Sequence, residues 1–418
     1  MTDKRVLMIA YHYPPVRTSS GIQRTLKFSS YLRDHGWEPM ILTISPRAYE
    51  SVSNDQMGEI PEGMVVERAF GLDTARHLSI KGRYLRWMAQ PDRWASWWPM
   101  GVIKGLSLIR RYKPKAIFAT YPIATAHLIG LTLQRLTGVP LIVDFRDAMT
   151  EPGYPVNPTT WKLHRKLEQA LIKHCSRAVF TTNGTREMYA KRYPNIPAEN
   201  WAVIENGFDE ENFRDAENGL DASRLGADGQ MILVHSGVLY PQERDPKPFF
   251  TALRDMKNAG EISADKLKVI LRATGSDDYY SKLLSEFGID DIVSIEPMVA
   301  YRTALQEMMR ADGLLLLQGA ACNKQIPAKL YEYARAGRPI LALTDFASNT
   351  AELLGKLETP WVADIAETES IRKLLGDVMS QWRRGLLTGV RRELADGCSR
   401  RSRTDELVRI LDSLPEKA

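Results

Sequence analysis

Cysteine is scarce in this chain: Cys175, Cys322 and Cys398 are the three among 418 residues, far apart and without a CxxC pair. An odd, scattered set argues against a disulfide framework or a zinc site, and fits free thiols in a reducing, cytoplasmic compartment. Long apolar runs are missing too. The most apolar window, 117–133, is interrupted by Tyr121, Pro122 and His127 and falls short of the roughly 20 residues that a membrane span needs. After Arg5 only five consecutive apolar residues follow, too few for a signal-peptide core, so this stretch is expected to be a buried first strand. Net charge is small, +5 from 56 Lys+Arg against 51 Asp+Glu. One stretch nevertheless has almost no acid: Asp92 stands alone against eight cations between Arg76 and Arg111.

The chain otherwise has an ordinary globular composition, 44% apolar and 26% charged, and is long enough to prefer two domains over one core. Short aliphatic runs at 6–10, 40–43, 65–68, 115–120, 141–144 and 178–181 alternate with helical stretches at 22–34, 101–112, 124–137 and 159–175. That βαβ rhythm predicts an open parallel sheet with helices on both faces. The chain turns polar and glycine-rich over 207–230, which reads as a linker. The rhythm then restarts with strands expected at 231–235, 267–272, 292–295, 313–317, 340–344 and 361–363. The expected fold class is therefore α/β with two doubly wound, Rossmann-like domains, 1–206 and 231–389, facing a central cleft. The final helix, about 390–418, is expected to pack back on the first domain.

The most informative stretch is IPAKLYEYARAGRP, from Ile326 to Pro339. Proline at a helix start costs no hydrogen bond, and glycine followed by proline stops a helix cleanly. Leu314 to Leu317 reads as a buried strand and 318–325 as a loop, so the helix start offers free backbone amides to an anion such as a nucleotide diphosphate. Any α/β protein contains such units, and the pattern alone leaves the ligand open. The loop after the first strand, through Ser19, Ser20 and Gly21, is rich in small residues and opens a helix, but carries no GxGxxG. Asp144, Arg146 and Asp147 end a strand where doubly wound proteins place catalytic groups; an ion-paired loop anchor is the competing reading, stronger for Asp144 than for Asp147. Arg244 and Lys329 are cations able to neutralise a departing diphosphate, arginine without titrating.

The acid-poor segment interleaves Arg83, Arg86 and Arg93 with Trp87, Trp94, Trp97 and Trp98. Exposed, such a mixture suits an anionic membrane surface, where tryptophan rings sit at the headgroup level and each cation contributes about 1 kcal/mol. Nucleic acid could use the same chemistry through stacking and phosphate contacts. Buried between two helices, the same tryptophans would simply be core.

Seven stretches in order, VLMIAYHYPPVRTSSGIQRTLKFSSYLRDHGWEPMILT, PLIVDFRDAMTEP, AVIENGFDEENF, ILVHSGVLYPQERDP, TGSDD, MRADGLLLL and IPAKLYEYARAGRPILAL, together resemble the GT-B fold retaining glycosyltransferases of family 4 over nearly the whole chain. The closest flavour is that of bacterial enzymes building capsule, exopolysaccharide or O-antigen. The resemblance implies that Glu332 accepts hydrogen bonds from two ribose hydroxyls, as a carboxylate with two acceptor oxygens does well. The family's preceding glutamate falls on Lys324, whose ammonium can only donate and suits a phosphate or a carboxylate-bearing sugar. One member of the usual basic pair falls on Arg244 and the other on Val238, so Lys329 or Lys324 is expected to compensate. Asp147, beside Arg146, is implied as acceptor-positioning group or base. The remaining donor contacts implied are Ser20, Gly21, Gln325 and Ile326, with the nucleotide base against Met298 and Val299.

The activity implied by the resemblance is metal-independent transfer, with retention, from an NDP-sugar to a hydroxyl of a glycan or lipid-linked oligosaccharide, with neither cofactor nor metal and without nucleic acid. Arg83, Arg86, Trp94, Trp97 and Trp98 would then form an acceptor or membrane surface at the inner membrane face. A nucleotide-sugar epimerase on the same architecture, or a nucleotide-binding module that has lost catalysis, are the alternatives.

Overall fold

The structure is a computed structural model describing residues 4–17, 20–221, 223–241 and 244–415, with residue 20 described in its backbone alone. The chain divides into two compact units, one comprising 1–205 with 400–418 and the other 206–399.

Unit 1 is a sheet of seven parallel strands in the order β3-β2-β1-β4-β5-β6-β7. The strands are β1 Arg5–Ile9, β2 Glu38–Ile44, β3 Val65–Ala69, β4 Ala116–Thr120, β5 Leu141–Phe145, β6 Arg177–Phe180 and β7 Trp201–Val203. Strands β4 and β5 are buried along their whole length, as a parallel sheet covered on both faces requires. Helices Ser20–Tyr31, Trp97–Tyr112, Ala124–Thr137, Pro158–His174 and Asn183–Arg192 join the strands. Gly101 and Gly105, one helical turn apart, let helix Trp97–Tyr112 close on its neighbour: a Cβ on either would stand 2.5 Å from Ile129 Cδ1 or Leu133 Cδ1. Helix Arg400–Asp412 belongs to this unit, its Leu407 and Leu411 buried in the same core.

Unit 2 repeats the arrangement with six parallel strands in the order β10-β9-β8-β11-β12-β13. These are β8 Met231–Ser236, β9 Leu267–Arg272, β10 Val293–Glu296, β11 Gly313–Gln318, β12 Ile340–Thr344 and β13 Val362–Ala363. Strand order reverses beside β1 and β4 in unit 1 and beside β8 and β11 in unit 2. Loops at the carboxyl ends of such neighbouring strands diverge to opposite faces and leave a crevice where ligands bind.

Several sequence expectations need correction. Residues 207–230 are more than a linker: Asp209 caps helix Glu210–Glu217 by accepting from Asn212 N–H. Phe213 and Ala216 of that helix are buried in unit 2, and the buried Arg335 guanidinium grips Glu210 and Glu217. The helix expected over 390–418 is two helices, Arg392–Asp396 in unit 2 and Arg400–Asp412 in unit 1. Strand β7 is additional to the expected set, because three residues carry too little periodicity to be read.

Candidate functional site

At the reversal point of unit 2, β8 ends in His235 and Ser236, and its neighbour β11 ends in Gln318. His235 is fully buried, and its Nδ1 lies 2.9 Å from the Leu315 carbonyl oxygen. A carbonyl only accepts, so Nδ1 carries the proton and Nε2 presents a lone pair. Lys329 Nζ, 3.0 Å from Nε2, donates to it. Burial, then the charges of Lys329 and Arg244, push the His235 pKa well below its ordinary value, which keeps the ring neutral and the lone pair available.

Lys329 lies in the first turn of helix Ala328–Ala336, which starts after Pro327 and ends at Gly337 in the left-handed conformation. Its pKa is held well below the usual lysine value by burial and by Arg244, with Glu332 acting in the opposite sense. Gly237 follows β8 with φ +104°, and a Cβ there would stand 3.4 Å from Lys329 Nζ, so glycine serves both the backbone and the passing ammonium. Arg244 donates from Nη1 to the Val238 carbonyl (2.9 Å) and lies over the Tyr240 ring. Its buried Nε has no hydrogen-bond partner among the described residues. Two neighbouring cations, one with its charged form disfavoured, make a subsite that an anion would stabilise.

Glu332 lies one turn beyond Lys329 on the same helix, so i and i+3 share a face. Its Oε1 accepts from Tyr301 Oη at 2.7 Å. Tyr301 opens helix Tyr301–Arg310, directly after the segment carrying Met298 and Val299. Met298 is 66% exposed, and the preceding Pro297 carbonyl is fixed by Arg272 Nη1 at 2.7 Å, itself paired with Glu307. The loop before helix Ala328–Ala336 is pinned from below. Buried Gln318 donates from Nε2 to the carbonyls of Cys322 (2.7 Å) and Gln325 (2.9 Å), and Thr350 Oγ1 donates to the same Gln325 carbonyl. Lys324 is exposed, and Gln325 and Ile326 are partly buried. The structure thus gathers Lys329, Arg244 and Glu332 in one electrostatic cluster, with Lys324, Gln325 and Ile326 in the adjoining loop. His235, Gln318 and Tyr301 are absent from the residues that the sequence singles out. The signal for the first two was a polar residue closing an aliphatic strand, in MILVHS and GLLLLQ.

In unit 1, Asp144 is an anchor. Arg24 grips it with Nε–Oδ2 3.0 Å and Nη2–Oδ1 2.8 Å, and Thr120 Oγ1 donates to Oδ2 at 2.8 Å. Arg146 and Asp147, just beyond β5, are partly buried. Arg146 Nη1 donates to the Gly21 carbonyl at 2.8 Å, tying the strand end to the start of helix Ser20–Tyr31. Burial lowers the Arg146 pKa to about 10. Burial, then Arg146, lowers that of His12 to about 3, so His12 is neutral near pH 7. Burial, then the neighbouring Tyr154 and Asp147, raises the pKa of the Tyr121 hydroxyl well above its ordinary value. Gly21 is buried; the Ser20 side chain and Ser19 lie outside the described residues.

The basic aromatic segment splits in two. Trp97 is 0% exposed, so its expected surface role is wrong: its Cβ lies against Gly71, where an added Cβ would stand 2.8 Å away, and its ring Nε1 lies beside Gly101. Trp94 is partly buried, its ring tilted by 47° against that of Tyr11 with centroids 4.4 Å apart. Trp98 is 41% exposed, with Nε1 donating to Thr132 Oγ1. Arg83 and Arg86 are exposed, as are Ile80, Tyr84, Leu85 and Trp87, the last at 71%. Among the described residues no helix is long and apolar enough to cross a membrane.

Residues 21–207 match the family model described as a Glycosyl transferase 4-like domain. No curated protein matches the chain in sequence. Solved structures match it over nearly its full length. Sucrose-phosphate synthase from Thermosynechococcus elongatus aligns with TM-score 0.67 at 12% identity, covering 98% of each chain. HepE of Anabaena, in complex with UDP and glucose, aligns with TM-score 0.67 at 14% identity, covering 98% of this chain and 100% of that one. UDP-GlcNAc 2-epimerase from Neisseria meningitidis, bound to UDP-GlcNAc, aligns with TM-score 0.57 at 10% identity over 98% and 100%. At such identities the likeness shows the fold: sheets of seven and six parallel strands with alternating helices are the two-domain GT-B α/β fold of these neighbours.

Proposed function

We propose that this chain is a retaining glycosyltransferase that moves a sugar from an NDP-sugar to an acceptor hydroxyl. The observation that carries this reading is the convergence of Lys329, Arg244 and Glu332 at the β8–β11 reversal point of unit 2, in a chain whose residues 21–207 match a glycosyl transferase 4-like domain. Breaking the bond from the sugar anomeric carbon to the diphosphate leaves negative charge on the departing oxygen. Arg244 and Lys329 would stabilise that charge without a metal ion, supported by the amides at the start of helix Ala328–Ala336. Glu332 would exchange the Tyr301 hydroxyl for the ribose hydroxyls, and Met298 and Val299 would flank the base. Lys324 would face the donor sugar, favouring one that bears a carboxylate or phosphate. In unit 1, Asp147 would position the acceptor hydroxyl and receive its proton.

The acceptor is proposed to be a glycan or a lipid-linked oligosaccharide of surface polysaccharide synthesis. The exposed run of Ile80, Leu85 and Trp87 among Lys81, Arg83 and Arg86 has the chemistry of an anionic lipid surface. That chemistry supports a peripheral position on the cytoplasmic membrane face.

A thermal-shift panel of UDP, GDP, dTDP, ADP and their sugar conjugates tests the reading, since a ligand at 100 times its Kd stabilises by about 2.7 kcal/mol. One nucleotide should raise the midpoint in the wild type and lose that effect in Glu332→Ala; no shift with any nucleotide would sink it. The epimerase neighbours favour a second reading, isomerisation of the nucleotide sugar itself. A sugar product formed with no acceptor present would select it.

A further inference from the structure

His235 is buried and belongs to none of the roles above, yet both of its ring nitrogens are engaged. We propose that His235 is a positioning residue for the diphosphate subsite: with Nδ1–H fixed on the Leu315 carbonyl, its Nε2 lone pair holds the Lys329 amino group in place to meet the anion. The proposal rests on the nucleoside-diphosphate reading of this site and assigns a residue that the reading does not use.

The geometry carries it in three steps. The Leu315 carbonyl lies on β11 and His235 on β8, so the ring is locked across the two strands that flank the reversal point. A locked ring with a lone pair at Nε2 fixes the position of a donor 3.0 Å away, and lysine otherwise loses much rotamer freedom when ordered. Gly237, at φ +104° and with no Cβ, leaves open the space beside Nζ, which a side chain there would line from 3.4 Å. Among the described residues, the charged groups that face Lys329 are Arg244 from the loop after β8, Glu332 from its own helix, and His235 itself. Burial and Arg244 disfavour the charged lysine, so an arriving diphosphate should draw a proton onto Nζ. The ammonium then donates one bond to Nε2 and keeps two N–H groups for phosphate oxygens.

The test is titration calorimetry with UDP and with inorganic pyrophosphate, in two buffers of different ionisation enthalpy. It compares the wild type, His235→Asn, His235→Gln, Lys329→Met and the double variant His235→Asn/Lys329→Met. Asparagine reproduces the Nδ1 hydrogen bond and removes the Nε2 acceptor, whereas glutamine reaches the Nε2 position. His235→Asn should weaken both ligands about tenfold, the loss of one charge-assisted hydrogen bond, and His235→Gln by less than about threefold. In the Lys329→Met background His235→Asn should change affinity by less than about twofold. The wild type should take up a proton on binding and Lys329→Met should not. Equal weakening in both backgrounds, or glutamine as damaging as asparagine, overturns the proposal while leaving the diphosphate reading intact. Failure of the wild type to bind either ligand removes both. Should His235→Asn not fold, retained proton uptake and near-wild-type affinity in His235→Gln support the proposal, and loss of both overturns it.

Discussion

Asp144→Ala should destabilise unit 1 more than any surface change, and its size follows from the contacts. The Arg24 and Asp144 side chains are 1% and 0% exposed. They meet through two hydrogen bonds, with Thr120 Oγ1 adding a third to the carboxylate. Removing the carboxylate leaves a buried guanidinium whose remaining bond is to the Glu205 carbonyl at 3.0 Å. Orphaning one partner of a buried pair costs about 3–5 kcal/mol, a large part of the roughly 5–15 kcal/mol that holds a domain folded. For a unit of this size that is a drop of about 6–20 °C in the unfolding midpoint, read by differential scanning calorimetry. Arg24→Met/Asp144→Leu removes both charges and should cost less than Asp144→Ala alone. A midpoint shift below about 2 °C for Asp144→Ala, or a double variant worse than the single, would refute the reading of Asp144 as an anchor.

Trp97→Ala should cost about 3–5 kcal/mol as a cavity between Gly71 and Gly101, whereas Trp87→Ser should leave the melting midpoint unchanged and reduce sedimentation with anionic vesicles; the reverse pattern would contradict the split of that segment. Gly237→Ala places a side chain at φ +104° and against Lys329; it should cost about 1–3 kcal/mol and weaken UDP binding in a titration. His127 is buried with its pKa lowered to about 4 by burial. Between that value and about 6.5 the unfolded chain binds the extra proton. Its contribution to stability is therefore complete above about pH 6.5 and falls by up to about 3 kcal/mol as the pH drops toward 4. Urea titrations at intermediate pH would show this, and His127→Gln should flatten the slope; an unchanged slope would sink the assignment. Glu332→Ala should weaken UDP about tenfold or more, since hydrogen bonds to a charged acceptor contribute about 1.5–3 kcal/mol each, while Tyr301→Phe, which removes a competing donor from Oε1, should not weaken it.

The strands built on short aliphatic runs, such as GLLLLQ and LIVDF, and the proline-to-glycine frame of helix Ala328–Ala336 were legible, because burial on both faces and helix punctuation leave local signatures. So was the placement of Glu332 and Lys329 on one helix. The features that were not legible depend on distant partners. Glu210–Glu217 is polar by composition and holds as a helix through Arg335, more than a hundred residues away in sequence. Trp97 and Trp87 sit in the same basic stretch, and only packing against Gly71 and Gly101 separates core from surface. His235 and Tyr301 acquire meaning through Lys329 and Glu332, contacts that no local pattern announces.

The most direct test is a crystal structure of the chain with UDP bound. The expected result has the diphosphate oxygens within hydrogen-bond distance of Arg244 and Lys329, the ribose hydroxyls on Glu332, and the Tyr301 hydroxyl displaced from that carboxylate. UDP bound with its diphosphate away from Arg244 and Lys329, or with Glu332 still held by Tyr301 and its ribose elsewhere, would contradict the donor site proposed for unit 2.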